Sequence, residues 1–322
     1  MLPVPPPRSR PPVAWASLAG RSALLASGPD AVRFVDNFTT AAVSTLPLGG
    51  GGEGFFTDAR GHVLALANIL RTADGLWLDA AAGVAAKLRA HLDQYLIRER
   101  VAFVDASADR TAFLLIGPAA VGWLTDHAEG AVPTGLLDHA PLRIADVAAD
   151  VVALDWFGPG GLLLEVASGD APRLAAGLRA AGLPELDAPA VDAARIEAGS
   201  PEPADIDAKT LPQELGRDAR AISFTKGCYL GQETVARLDA LGHVNRRLVL
   251  LAVAEPPAVG APVTAAGETV GTISSACASP RLGGGLGLAL VRLRALEGAA
   301  LEVAGRPVCA IDPPAATSRP ES

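Results

Sequence analysis

Cysteine is scarce in this 322-residue chain, and what there is does not pair. Cys228, Cys277 and Cys309 are an odd number with no CxxC spacing, which disfavours both a disulfide framework and a self-contained zinc or iron–sulfur site. One reactive cysteine cannot supply the usual four cluster ligands, so no resident metal is expected. Aromatics make up only 4% although half the residues are hydrophobic, and the apolar excess is largely alanine. Positive charge is also short. A formal net charge of −8 argues against a broad nucleic-acid or anionic-membrane surface. No apolar run approaches the ~18 residues that a membrane-spanning helix needs. Prolines break up Met1–Pro12, which therefore reads as a disordered extension rather than a signal peptide. A cytoplasmic protein is expected. Missing too are an HExxH helix, a GxSxG elbow, a Walker-type phosphate loop and a GxGxxG opening a helix. The glycine run Gly283–Gly287 feeds a strand, so it lacks the helix N-terminus of a phosphate site.

What is present divides into mixed and all-β stretches. Asp30–Phe38 predicts a short capped helix. Gly54–Thr57 and His62–Ala67 predict a hairpin closed by Asp58–Gly61, with Gly75–Asp79 as a third strand. Val84, Leu88, Leu92, Tyr95 and Leu96 share one face of a helix predicted over Val84–Ile97. Strands near Val101–Asp105 and Thr111–Ile116 precede a helix opened by Gly117-Pro118. A second β-rich unit begins around Leu142, with Val151–Phe157 and Leu162–Val166 joined by Gly158-Pro159-Gly160-Gly161. Asp170, Pro172 and Gly182 then punctuate another helix. After Arg247, five or six short strands separated by glycine- and proline-containing turns predict a small β-barrel. The expected division is an extension at 1–12, two lobes at roughly 13–140 and 141–246, a barrel at 247–312 and a disordered tail at 313–322.

The stretch Lys226-Gly227-Cys228-Tyr229-Leu230-Gly231-Gln232-Glu233 offers little to a core and much to a site. Its glycines permit positive φ or close backbone approach. Lys226 places positive charge two residues from Cys228, where it can favour a thiolate. An ordinary polar loop entering a helix near Gln232 is an equal alternative on chemistry alone. Glu165 ends a strand of leucines, and alternation leaves two choices, the polar face or a cleft. In Arg195-Ile196-Glu197-Ala198-Gly199 the charges at i and i+2 do not face each other on a helix, and Gly199 can cap its end. Asp58 and His62 can do acid–base work, but such a string is more often a tight turn.

Together these pieces resemble the YgfZ family of folate-binding proteins, relatives of the glycine-cleavage T protein in the aminomethyltransferase superfamily. Lys226–Glu233, preceded by Leu211-Pro212-Gln213-Glu214 and Ile222-Ser223-Phe224-Thr225, is similar to that family's signature. Phe34–Thr40, Phe56–Gly61, Leu92–Tyr95, Gly158–Glu165 and Arg195–Gly199 resemble its weaker motifs in the same order, from about residue 28 to 311. The resemblance implies an α+β fold of two similar lobes around a central tetrahydrofolate cavity, plus a small C-terminal β-barrel. It implies a role in assembly or repair of iron–sulfur clusters, including those of tRNA-modifying enzymes. Its partners would be folate and iron–sulfur enzymes or assembly proteins, without nucleic acid or membrane.

The resemblance makes Cys228 the functional thiol, with Lys226 beside it. It assigns folate contacts to Glu165, Arg195, Glu197, Tyr229, Gln232 and Glu233. Glu165 would accept the pterin's amidine-like edge, and Arg195 and Glu197 would also organise the lobe junction. The departures are informative. Aminomethyltransferases carry an aspartate on the strand after the first hairpin, where this chain has His62-Val63-Leu64-Ala65-Leu66. They carry an arginine four residues before Arg195, where this chain has Val191. An ordinary aminomethyltransferase is therefore not expected. A folate-dependent one-carbon transferase using Asp58 or His62, and a scaffold that has lost folate binding, are the other readings.

Overall fold

The computed structural model describes residues 11–312, apart from residues 19, 243, 280, 298 and 299. The expected tail at 313–322 and most of the expected extension lie outside the described residues. The Pro12 carbonyl, at the end of that extension, accepts a hydrogen bond from the Ala119 amide at 2.9 Å.

Strands β1 (Ala14–Leu18) and β2 (Ser22–Ser27) open the fold. The sequence does not announce them, because alanines and serines leave little hydrophobic contrast between their faces. Helix α1 (Ala31–Asp36) follows where one was expected, but the Asp30 carboxylate makes no cap bond and instead accepts from the Arg100 amide at 2.9 Å. The hairpin is β3 (Gly51–Thr57) with β4 (Val63–Thr72), and β5 (Gly75–Ala80) extends it. Helix α2 (Val84–Asp93) stops a turn short of the predicted Ile97, although Leu96 still packs on the apolar layer beneath it.

Next come β6 (Ala102–Asp105), β7 (Arg110–Ile116), α3 (Ala120–His127), the two-residue β8 (Ala128–Glu129), β9 (His139–Ile144), β10 (Val147–Leu154) and β11 (Gly161–Ala167). The strand expected to reach Phe157 ends at Leu154, because Asp155, Trp156 and Phe157 leave it to be buried. Helices α4 (Ala171–Ala180), α5 (Ala188–Glu197), α6 (Asp218–Ala221) and α7 (Gln232–Leu241) complete the mixed region. Gly199, at φ +67°, follows the end of α5 as expected of a C-terminal cap.

The strands form two sheets, β3-β4-β5-β2-β6 and β1-β7-β11-β10-β9-β8. The sheets do not divide the chain at residue 140. Both β1 and β7 join the six-stranded sheet, where β7 pairs with β11 on one edge and β1 on the other. Alternation along the strands sends side chains to opposite faces. Ile69, Leu76 and Leu78 pack outward against Phe34, Val35, Leu88 and Leu92 of α1 and α2. Phe113, Leu162 and Leu164 pack outward against Leu124, Leu174 and Leu178 of α3 and α4. The inward faces meet through Phe55, Leu66 and Leu70 on one sheet and Leu114, Val152 and Leu163 on the other. The layers run helix, sheet, sheet, helix, and each fully buried leucine contributes roughly 1.5–3 kcal/mol.

Strands β12 (Arg246–Val253), β13 (Pro262–Ala265), β14 (Glu268–Ser279), β15 (Gly284–Arg292), β16 (Leu301–Val303) and β17 (Arg306–Ile311) close a barrel in the order β12-β15-β14-β13-β16-β17, with the single-turn α8 (Leu293–Leu296) after β15. A Cβ on Gly285 would lie 2.3 Å from the Pro256 nitrogen, so the glycine run lets β15 pass against a neighbouring loop. Ile196 on α5 packs with Leu250, Leu286 and Leu288 and seats the barrel on the second lobe. The expected α+β architecture, two lobes with a C-terminal β-barrel, is the observed one.

Candidate functional site

The Lys226–Glu233 segment is a rigid loop, held by two other segments distant in sequence. The Lys226 ammonium, its side chain 3% exposed, donates to the carbonyls of Asp36, Thr39 and Ala41 at 2.5, 2.9 and 2.6 Å. The Asp36 carboxylate lies 3.2 Å away. Burial pushes the lysine pKa down despite that carboxylate. An ammonium has three protons to donate, and all three have acceptors here, so Lys226 pins the loop to the segment after α1. The Leu230 amide donates to the Asn37 carbonyl at 2.9 Å, and the Thr57 hydroxyl donates to the Leu230 carbonyl at 2.6 Å. Gly231, at φ +84°, lies where a Cβ would be 2.6 Å from the Asp58 carbonyl oxygen. The Phe34–Thr40, Phe56–Gly61 and Lys226–Glu233 motifs are thus one assembled unit.

Within this loop Cys228 is exposed and free. Tyr229 is buried in the layer between the sheets, its ring 5.4 Å from the Lys226 ammonium, and burial raises its hydroxyl to about 12. Gln232 is half-buried at the start of α7, and Glu233 is exposed in its first turn. Gln213 donates to the Val235 carbonyl of α7 at 2.7 Å. Asp58 accepts from the Arg60 and His62 amides at 2.8 and 2.9 Å and meets the His62 ring at 3.1 Å. Partial burial opposes ionisation of Asp58, but these bonds hold its carboxyl below the usual range. It closes its own turn.

Glu165 lies elsewhere. It shares the inward parity of Leu163 on β11 and is buried between the sheets, which decides the choice alternation had left open. Burial and the neighbouring Asp79 carboxylate raise its carboxyl to about 7, against the pull of Arg110 and Arg21. Arg110 on β7 reaches Glu165 at 3.4 Å and Asp150 on β10 at 2.5 Å, and its guanidinium lies 5.3 Å from the Trp77 ring. Arg21 forks onto Asp79 at 2.6 and 2.7 Å, and Asn68 donates to the same carboxylate at 2.8 Å. Two buried atoms in this band, Asn68 Oδ1 and Trp77 Nε1, have no hydrogen-bond partner among the described residues.

A second buried network lies beside it. Glu53 on β3 binds Arg217 and accepts from the Trp156 indole at 3.2 Å, and Arg220 pairs with Asp155 at 2.7 Å. The sequence reading missed Arg21, Glu53, Asn68, Trp77, Asp79, Arg110 and Arg217. A signal existed for some of them. Asn68 interrupts the Leu66–Leu70 parity of β4, and a lone polar residue on an otherwise apolar strand face is the mark of an interior contact.

Arg195 and Glu197 sit together at the junction with the barrel. All five Arg195 donors have acceptors: Asp192 twice at 3.0 and 2.7 Å, the Ser200 carbonyl at 2.8 Å, and Asp205 and Ser275 at 3.0 Å each. Glu197 accepts from Ser279 of β14 and from Arg281 at 3.2 Å. A cavity of about 490 Å³ opens beside them, lined by Leu18, Arg21, Phe157, Val191, Arg195 and Glu202. It shares Ala81, Ala82 and Glu202 with a second cavity of about 360 Å³ whose wall includes the carboxylate-free stretch Val63–Leu66. The signature loop lines neither, so the structure places the sequence-derived site residues in three groups: the exposed thiol loop, the inter-sheet carboxyl and the barrel junction.

Residues 17–226 match the family model described as the GCVT N-terminal domain, and residues 246–310 match the glycine cleavage T-protein C-terminal barrel domain. The chain belongs to the glycine cleavage T-protein family. This GCVT-family chain is 32% identical over 228 residues to the tRNA-modifying protein YgfZ of Edwardsiella ictaluri, covering 70% of this chain and 66% of that protein. It is 28% identical to the mitochondrial iron–sulfur cluster assembly factor IBA57 of Homo sapiens, covering 90% of this chain and 84% of that protein. The YgfZ resemblance read in the sequence is borne out. The chain spans 63% and 66% of the length of two curated relatives it matches. Aminomethyltransferase T from Bartonella henselae shares the fold with a TM-score of 0.76 at 20% identity, covering 93% of this chain and 84% of that one. No helix among the described residues is long and apolar enough to cross a membrane.

Proposed function

We propose that this chain binds tetrahydrofolate between its lobes and supports assembly or repair of iron–sulfur clusters, including clusters of tRNA-modifying enzymes, through the Cys228 thiol. The observation that carries the folate part is the inter-sheet polar band. Glu165, Asn68 Oδ1 and Trp77 Nε1 offer two acceptors and one donor within the buried polar band between the sheets, and two of those atoms lack partners among the described residues. Buried polar atoms left unpaired are costly, and a pterin edge carries both donors and acceptors. The residues present fit such a ring. Bound there, folate would supply a one-carbon carrier or a redox-active ring. The chain's own residues would orient it and exclude water.

The cluster-related part rests on the relatives and on Cys228. The thiol is exposed on a loop whose backbone is fixed by Lys226 and Gly231, so a partner meets it in a defined position. This makes Lys226 a positioning residue. Arg195 and Glu197 support the cavity wall through the barrel, and Tyr229 anchors the loop. Gln232 and Glu233 stand at its exit into α7. A one-carbon transferase is the weaker reading, because Val63–Leu66 brings no carboxylate to the cavity and Asp58 is engaged in its own turn.

Titration of the purified protein with tetrahydrofolate tests the binding claim, and absence of saturable binding at high micromolar ligand would move the reading to a scaffold without folate. Cys228→Ala tests the thiol. Folding and folate affinity should be unchanged, while complementation of a strain defective in cluster-dependent enzymes should be lost. Full complementation by that variant removes the thiol from the mechanism.

A further inference from the structure

Strand pairing sets two carboxylates side by side. Asp150 of β10 lies directly opposite Glu165 of β11, so the two share the inward face. Arg110 of β7 shares it too, because Ala112, two residues on, is the β7 partner of Glu165. Like charges directly opposite on paired strands repel, and Arg110 is the cation that reaches both. It divides itself unequally. Its contact with Asp150 is 2.5 Å long, whereas the Glu165 carboxylate receives one of 3.4 Å. Exposure runs the same way, with the Asp150 side chain 43% exposed and that of Glu165 only 3%. The half-exposed acid takes the larger share of the arginine, and the buried acid is left with the remainder.

We propose that Arg110 and Asp150 are positioning residues that decide, through Glu165, whether folate meets a carboxylate or a neutral acid. This inference rests on the folate reading above and adds what controls its pterin contact. The other charges around Glu165 are committed. Asp79 of β5 opposes its ionisation, and Arg21, just before β2, favours it. Those two are forked onto each other, with Glu202 also acting on Arg21. The Trp77 ring of β5, 5.3 Å from the Arg110 guanidinium, supports Arg110 where it stands. Glu165 is poised at about 7, so a modest change in its share of Arg110 moves it between acid and carboxylate near neutral pH. The two forms differ in what they offer. A carboxylate presents two acceptors to the N–H edge of a pterin, whereas a protonated carboxyl turns a donor toward it.

The test is the affinity of the full chain for tetrahydrofolate, measured from about pH 5.5 to about pH 9. The wild type should gain affinity as pH rises, by up to about tenfold per unit, and level off above about pH 7. Arg110→Gln should move that midpoint up by about one pH unit. Asp150→Asn removes an anion beside Glu165 and frees the arginine for it, so it should move the midpoint down by about as much. Arg110→Lys keeps the charge and should recover most of the shift. All the chains should bind alike at about pH 9, where Glu165 is ionised in each. Arg306→Gln, which breaks an exposed barrel pair with Glu255, controls for net charge and should change nothing. Asp150 is half-exposed, so its variant decides the matter even where Arg110→Gln folds poorly. Midpoints that stay at the wild-type value, or affinities reduced equally at every pH, overturn the role of Arg110 and Asp150 and leave the folate reading standing. Failure of the wild type to bind at any pH overturns both.

Discussion

At the scale of single residues, Glu165 is the group whose chemistry most depends on its surroundings. Its carboxyl titrates at about 7 in the folded protein against an ordinary 4.5, because burial and Asp79 disfavour the anion. Between those two values the folded state keeps a proton that the unfolded chain has lost. The stability linked to this group is therefore full below pH 4.5 and is lost as pH rises through about 7. The loss is at most about 3 kcal/mol. Glu165→Gln cannot ionise, so its melting temperature relative to the wild type should rise between about pH 5 and about pH 8. A constant difference across that range would mean the carboxyl is already ionised in the acid. A pterin edge that needs the carboxylate should bind less tightly below about pH 7, by up to about tenfold per pH unit.

At the scale of elements, the thiol loop owes its shape to backbone contacts. Gly231 combines φ +84° with a neighbouring carbonyl that would lie 2.6 Å from any Cβ. Gly231→Ala should destabilise the protein by about 2 kcal/mol or more, read as a lower urea midpoint, and should displace Cys228 along with the start of α7. An unchanged midpoint would show that the turn relaxes freely. The loop's residue types were legible in the sequence, and so was the helix beginning at Gln232. Its docking was not. Lys226 reads as a free cation beside a thiol until the fold brings the Asp36, Thr39 and Ala41 carbonyls, 185 or more residues distant in sequence, around its ammonium.

At the scale of the whole molecule, Arg195 ties the second lobe to the barrel, beside the Glu197 and Ile196 contacts. Arg195 joins α5 to Asp205 and to Ser275 of β14, and Asp205 is itself buried. Arg195→Met would leave that carboxylate buried without its cation, at a cost of about 3–5 kcal/mol. The expected outcome is a lower melting temperature with early proteolytic cutting between the lobe and the barrel. Cutting that stays as slow as in the wild type would show that the apolar contacts of Ile196 and the Glu197 bonds to Ser279 and Arg281 suffice without it.

Local pattern determined much of this protein. The hairpin at Asp58–Gly61, the α2 face, the α4 punctuation and the barrel strands follow from turn residues and periodicity, which act over a few positions and are written in order along the chain. The order of motifs also fixed the family. What needed the tertiary structure was every relation between distant positions. The sequence left Glu165 equally free to face solvent or a cleft, and it became an interior acid because β7, β10 and β11 turn one face toward the other sheet. Strands β1 and β7 crossed the expected lobe boundary because pairing edges, not chain order, decide sheet membership. Arg21, Trp77 and Asp79 were silent for the same reason, and Asn68, though its parity marked an interior contact, named no partner until β5 set Asp79 opposite it.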